Sequence, residues 1–201
     1  DIVGLQTNSD VRNFLHCCEW MLKGAIIDFQ QRHVTYRGHT TAICSYPISV
    51  DAPGLLEFAR SAEVQRYKEQ ISARLGAQTI VRVDRSEPSK NVVRGLRAFE
   101  LLLERYPEYR GRVTLLQFLV PSRSELGVYQ TYTDEVFEAV DSINDEYGDG
   151  DWQPVHVIYE NNYAQGIAGM CLYDVLFVNP VIDGMNLVSK EGPLVNERDG
   201  V

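Results

Sequence analysis

Two basic side chains five residues apart, Arg85 and Lys90, stand in the polar run Asp84-Arg-Ser-Glu-Pro-Ser-Lys-Asn91, and a third, Arg123, follows Pro121-Ser122. Each run comes directly after a short apolar segment. A guanidinium offers a planar fork of donors and an ammonium a compact charge, so the three together suit the oxygens of a phosphate or diphosphate. Their surroundings are otherwise poor in positive charge: residues 101–201 hold 6 basic against 17 acidic residues and residues 1–100 hold 13 against 11, which sums to −9. A second anion-binding candidate is Asp183-Gly184-Met185-Asn186, where Gly184 permits a tight turn and the N–H groups of a following helical turn would face an anion. The same four residues also read as a plain turn with an Asn cap, and Arg123 as a surface partner of Glu125. Neither Gly-x-Gly-x-x-Gly nor Gly-x-x-x-x-Gly-Lys occurs, so dinucleotide redox chemistry and P-loop hydrolysis lack their phosphate loops.

These side chains need elements to hold them. Residues 79–83 (TIVRV), 113–120 (VTLLQFLV), 155–159 (VHVIY) and 174–179 (DVLFVN) are apolar almost throughout, as parallel strands covered on both faces are. Helical patterns separate them: Val92, Leu96, Phe99, Leu103 and Tyr106 form one stripe, and Val128, Tyr132, Phe137, Val140 and Ile143 a looser one. Residues 77–201 therefore read as a Rossmann-like β/α domain. In such a sheet ligands bind beyond the carboxyl ends of the strands, where Arg85, Lys90, Arg123, the run Glu160-Asn-Asn-Tyr163 and residues 180–186 all fall. Upstream, residues 1–6 read as a strand and a helix starts near Ser9, its cap, with Val11, Phe14, Leu15, Cys18 and Leu22 on one face. Two β-like runs, 34–38 and 40–48, complete residues 1–50 as the end of another β/α domain. Residues 51–76 are a helical connection, opened by Asp51 and Pro53 and carrying Val64, Tyr67, Ile71 and Leu75 up to Gly76.

The acidic balance disfavours nucleic acid as a partner. No apolar run reaches the ~18 residues of a membrane helix and no leader pattern opens the chain, so a cytoplasmic, membrane-free location is expected. Cys17, Cys18, Cys44 and Cys171 lack Cys-x-x-Cys spacing and read as free thiols, and His16, His33, His39 and His156 as structural. The stretch 134–151 has eight carboxylates and no basic residue, which reads as a solvated face rather than a metal site. A strand-like start without Met and the polar ending NERDG suggest a piece of a longer protein.

The ordered motifs Val83-Asp-Arg85-Ser-Glu-Pro-Ser-Lys90, Leu102-Leu-Glu-Arg-Tyr-Pro107, Pro121-Ser-Arg123, Asp151-Trp-Gln-Pro154 and Asp183-Gly-Met-Asn-Leu-Val-Ser-Lys-Glu191 resemble the trehalose-6-phosphate synthase family of retaining glycosyltransferases. The likeness also takes in residues 1–6 and the Thr7-x6-Phe14-Leu15 helix. It implies an α/β fold of GT-B type: a Rossmann-like donor domain and the end of an acceptor-side domain. It implies glucose transfer, with retention, from a nucleotide diphosphate glucose, uridine diphosphate first, to glucose-6-phosphate. Arg85 and Lys90 would hold the donor diphosphate and Asp183 the donor sugar hydroxyls. Glu191 would hold the ribose, Leu187 and Val188 would offer backbone groups to the diphosphate, and Tyr163 or its neighbour Asn162 would lie beside the base. Arg123 would grip the acceptor phosphate.

No metal and no cofactor are called for, and a homo-oligomer is compatible with the pattern. Where the family commonly has Arg-Leu-Asp-Tyr-x-Lys-Gly and Lys-Glu-Tyr-Val, this chain has Arg85-Ser-Glu-Pro-Ser-Lys90-Asn91 and Lys190-Glu191-Gly-Pro. Synthases using glycerol phosphate or an amino-cyclitol phosphate, and a synthase-like module that binds without turnover, are the alternatives. The family's early acceptor loops and final helices are not in this chain, so the 201 residues alone are expected to be inactive.

Overall fold

A computed structural model describes residues 1–123 and 125–201. The chain divides into two compact units, Asp1–Ser49 and Val50–Val201.

In the first unit, strand β1 (Ile2–Leu5) leads into helix α1 (Asn8–Met21), and β2 (Ile26–Asp28), β3 (His33–Tyr36) and β4 (His39–Ser45) follow in the sheet order β1-β4-β3-β2. β1 runs parallel to β4, while β2, β3 and β4 form an antiparallel meander. Arg37 and Gly38, both at positive φ, make the two-residue turn whose twist suits the β3–β4 hairpin. Val11, Leu15 and Cys18 of α1 bury against Val34 and Ile43. The cap of α1 is Thr7, two residues before the expected Ser9. Thr7 Oγ1 accepts the Asp10 N–H at 3.1 Å while Asp10 Oδ2 accepts the Thr7 N–H at 2.9 Å, and that reciprocal capping box outcompetes a lone serine.

The second unit opens with two helices, α2 (Ala52–Ala59) and α3 (Ala62–Ser72). Asp51 caps α2, with Pro53 in its first turn, and Ser61 caps α3. Leu55, Ala59, Val64 and Ile71 are in this unit's core, so residues 51–76 are part of its packing. Then come β5 (Gln78–Arg85), α4 (Val92–Arg105), β6 (Val113–Val120), α5 (Gly127–Tyr147), β7 (Val155–Tyr159), α6 (Tyr163–Met170), β8 (Val175–Leu176) and α7 (Val188–Val195). The sheet is wholly parallel with the order β7-β6-β5-β8.

Alternation sorts the side chains. Val81, Leu116 and Phe118 pack on one face with α2, α3 and α6, and Ile80, Val113, Leu115 and Leu119 on the other with α4 and α5. The stripe on α4 is as expected for Val92, Leu96, Phe99 and Leu103, but the helix ends at Arg105 and leaves Tyr106 exposed. On α5 the inward residues are Val136, Val140 and Ile143. Phe137 turns instead onto the Tyr159 ring, and Val128 is exposed. Of the expected strand 174–179, only Val175 and Leu176 pair with β5, after which Phe177 N–H donates to the Val81 carbonyl at 2.8 Å. Among the described residues no helix is long and apolar enough to cross a membrane.

Candidate active site

The chain builds outward from β5 through β6 to β7 and then crosses back to place β8 on the other side of β5. That reversal leaves a crevice between the loops leaving β5 and β8, which is where open parallel sheets bind ligands. The loop after β5 makes a short 3₁₀ turn, Pro88–Lys90, and reaches α4 through Asn91, whose left-handed φ of 60° is tolerated best by Asn or Gly. Asn91 Nδ2 donates to the Asn179 carbonyl at 3.0 Å and Val181 N–H donates to the Ser89 carbonyl at 2.9 Å, so the two loops are tied by backbone acceptors on both sides.

Within this crevice Lys90 Nζ donates to Asp183 Oδ2 at 2.5 Å, with side chains only 12% and 14% exposed. Asn186 Nδ2 donates to the same oxygen at 2.9 Å, while Asn186 Oδ1 accepts the Ser189 N–H at 2.8 Å and so supports the first turn of α7. Burial pushes the Asp183 carboxyl up, but hydrogen bonds from Lys90 and Asn186 and the Lys90 charge outweigh it and hold it below its ordinary value. An ammonium has three donors and Asp183 takes one, so Lys90 has capacity for a second anion. Arg85, the last residue of β5, is 55% exposed at its side chain and pairs with Glu87 at 3.0 Å.

Leu187 and Val188 sit where α7 begins. Glu191, in its first turn, accepts from Tyr163 Oη at 3.1 Å, and the Tyr163 ring stacks on Phe58 of α2 with centroids 5.5 Å apart. Burial, then the Glu191 charge, push the Tyr163 hydroxyl up to about 12, so it remains a proton donor throughout the physiological range. Asn162 is engaged otherwise: its Oδ1 caps α6 at Gln165 N–H and its Nδ2 donates to Tyr67 Oη at 2.9 Å. Of the two candidates for a place beside a base, Tyr163 is therefore the one presenting an aromatic face.

Arg123 is apart from these contacts. It follows β6, is exposed, has a φ of 44°, and donates from Nη1 to Tyr129 Oη at 2.9 Å, so among the described residues its side chain meets the α5 tyrosine rather than Glu125, its alternative surface partner.

Several supporting residues carried no motif. Tyr132 Oη accepts the Val92 N–H at 2.8 Å and so caps α4, which Asn91 leaves without a side-chain cap. Phe58 lies more than a hundred residues from Tyr163 in sequence, and nothing local marks it as a ring partner. Arg82, by contrast, had a readable signal: a single charge inside the apolar run 79–83.

The family model for glycosyltransferase family 20 matches residues 1–200. The chain is 35% identical over 194 residues to the UDP-forming alpha,alpha-trehalose-phosphate synthase of Pichia angusta, an alignment that takes in 95% of this chain and 40% of the relative. It superposes with a TM-score of 0.86 and 30% identity on a Burkholderia xenovorans alpha,alpha-trehalose-phosphate synthase (UDP-forming) solved with glucose-6-phosphate, over 98% of this chain and 44% of that one. The N-terminal domain of Candida albicans trehalose-6-phosphate phosphatase superposes with a TM-score of 0.82 at 28% identity, over 97% and 41%. The chain thus spans less than half the length of each of these proteins.

Proposed function

The chain belongs to glycosyltransferase family 20, with an α/β fold of GT-B type, and on that premise we propose that the full-length protein transfers glucose from uridine diphosphate glucose to glucose-6-phosphate with retention, giving trehalose-6-phosphate. The observation that carries this reading is the Lys90–Asp183 contact at the crevice between β5 and β8. It joins residues 93 apart in sequence and sets a cation for a diphosphate beside a carboxylate for sugar hydroxyls.

The division of the chain follows the same reading. Val50–Val201 is most of the donor domain and Asp1–Ser49 the end of the acceptor-side domain. Breaking the sugar–phosphate bond adds negative charge to the departing diphosphate. Arg85, Lys90 and the backbone N–H groups at Leu187 and Val188 stabilise that charge, and their effect is larger in the transition state than in the ground state. Asp183, kept ionised by Lys90 and Asn186, accepts from hydroxyls of the donor sugar. Glu191 exchanges its bond with Tyr163 for the ribose hydroxyls, and the Tyr163–Phe58 stack supports the base. The leaving phosphate takes the acceptor proton on the face it departs from, so Asp183 and Glu191 do not act as a glycosidase pair. Arg123 binds the acceptor phosphate.

The test is turnover by the full-length protein with a panel of nucleotide-glucose donors and phosphorylated acceptors, with the anomeric configuration of the product read by NMR. Trehalose-6-phosphate of retained configuration is expected. Product only with glycerol phosphate or an amino-cyclitol phosphate would replace the acceptor. The match to the N-terminal domain of a phosphatase favours a second reading, a synthase-like module that binds nucleotide sugar without transfer. Nucleotide binding with no turnover for any acceptor would select it.

A further inference from the structure

We propose that Arg82 is the positioning residue of this site: it holds the Lys90 backbone and the segment after β8 in the arrangement that aims Lys90 at the donor diphosphate, a role that rests on the reading above.

Arg82 is 1% exposed and is the largest of the fully buried side chains. Strand alternation turns it, with Ile80 and Asp84, toward α4. A buried ion pair rarely stabilises a fold more than apolar groups of the same volume would, so an arginine in this strand needs another reason. Its contacts supply one. Nε donates to Asp84 Oδ2 at 2.7 Å, Nη2 donates to the Lys90 carbonyl at 2.6 Å, and the guanidinium carbon lies 5.2 Å from the centroid of Phe177, the first residue after β8. One side chain therefore touches both loops that form the crevice, from beneath.

The surroundings are shaped to admit it. A Cβ at Gly95 of α4 would collide with Arg82 Nη1, so only glycine leaves room for the head group at this turn of the helix. Burial pushes the Asp84 carboxyl up against the pull of Arg82. Asp84 accepts from the guanidinium and orients it, and the guanidinium in turn holds the carbonyl of Lys90. Asn91–Asn179 and Ser89–Val181 tie the loops at the surface. The Arg82 contacts tie them to the sheet interior. A lysine at this position would keep the charge beside Asp84, but a single ammonium on a flexible stem cannot also hold the carbonyl in plane and stack on the ring.

The experiment uses the full-length protein with Arg82→Lys, Lys90→Ala and the double variant, measuring kcat and donor KM. Arg82→Lys is expected to lower kcat about tenfold while changing donor KM by less than about threefold. In the Lys90→Ala background it should change kcat by less than about twofold, because the group it positions is gone. An equal fall in both backgrounds would mean a general packing role and would overturn the proposal. Hydrogen exchange supplies a readout independent of turnover: amides 89–92 should exchange faster in Arg82→Lys while 115–119 remain as in the wild type. Should Lys90→Ala leave kcat unchanged, the leaving-group reading fails, and faster exchange at 89–92 still supports positioning while unchanged exchange overturns it. If Arg82→Lys does not fold, Phe177→Leu removes the ring and keeps the ion pair. Coupling to Lys90→Ala is then expected at smaller amplitude, and additivity overturns the proposal.

Discussion

Replacing Lys90 by alanine removes the best-defined cation of the crevice. Its ammonium is 2.5 Å from Asp183 Oδ2 and about nine-tenths buried, so its interactions are weakly screened. Two unit charges ~4 Å apart in such surroundings interact by about 4 kcal/mol, and removing one preorganised donor to a developing oxyanion costs about 3 kcal/mol in known cases. Because Arg85 and the start of α7 remain, the lower figure applies, and kcat should fall about a hundredfold. The ground-state diphosphate is already anionic, so donor KM should also rise, by less than about tenfold.

A pH profile separates electrostatics from packing. In the wild type Asp183 is held below its ordinary value, so the stability it contributes is present above the unfolded-state carboxylate pKa and is lost only as pH falls through the depressed folded value. Without Lys90 the hydrogen bond and the charge that favour the ionised form are gone, and the carboxyl protonates at higher pH than in the wild type. The acid limb of kcat should therefore move upward in Lys90→Ala. Steady-state kinetics of the full-length protein from pH 4 to 8 would measure both effects. A variant that raises KM, leaves kcat alone and keeps the acid limb in place would refute the reasoning.

Arg123→Ala should lower kcat/KM for a phosphorylated acceptor by about 2 kcal/mol, roughly thirtyfold, and leave donor binding intact. An unchanged ratio between phosphorylated and dephosphorylated acceptors would assign Arg123 only to Tyr129. Glu191→Gln should act chiefly on donor affinity, read by titration calorimetry with uridine diphosphate, and a pure kcat defect would count against a ribose contact. Gly169→Ala places a methyl group against the Phe118 ring and should destabilise the second unit by about 2 kcal/mol, measured by denaturant unfolding. A neutral result there would show that the ring can move aside.

Periodicity and composition determined a good deal. The apolar runs at 79–83, 113–120 and 155–159 are parallel strands because residues buried on both faces cannot alternate with polar ones; Arg85 ends the first of these strands, and the loops after the first two contain Lys90 and Arg123. The chemistry of those loops was legible for the same reason: a cation in an acidic domain stands out whatever its neighbours. Local competition already blurred the detail. Ser9 and Thr7 are both competent caps, and only the reply from Asp10 decides between them. Val136 and Phe137 both fit the inward stripe of α5, and only the Tyr159 ring draws Phe137 aside.

Tertiary structure alone decided which groups meet. Asp183 reaches Lys90 because β8 crosses back to pair with β5, a choice of strand order that no local run records. Arg82 shows the same division most sharply. Its presence in an apolar run is plain in the chain, yet apart from Asp84 on the same strand its partners are a carbonyl eight residues on and a ring ninety-five residues on. Spacing along a helix or strand is set by backbone geometry and is written residue by residue. Contacts between elements are set by how whole faces pack, so a buried charge finds its partners only when the sheet has closed around it.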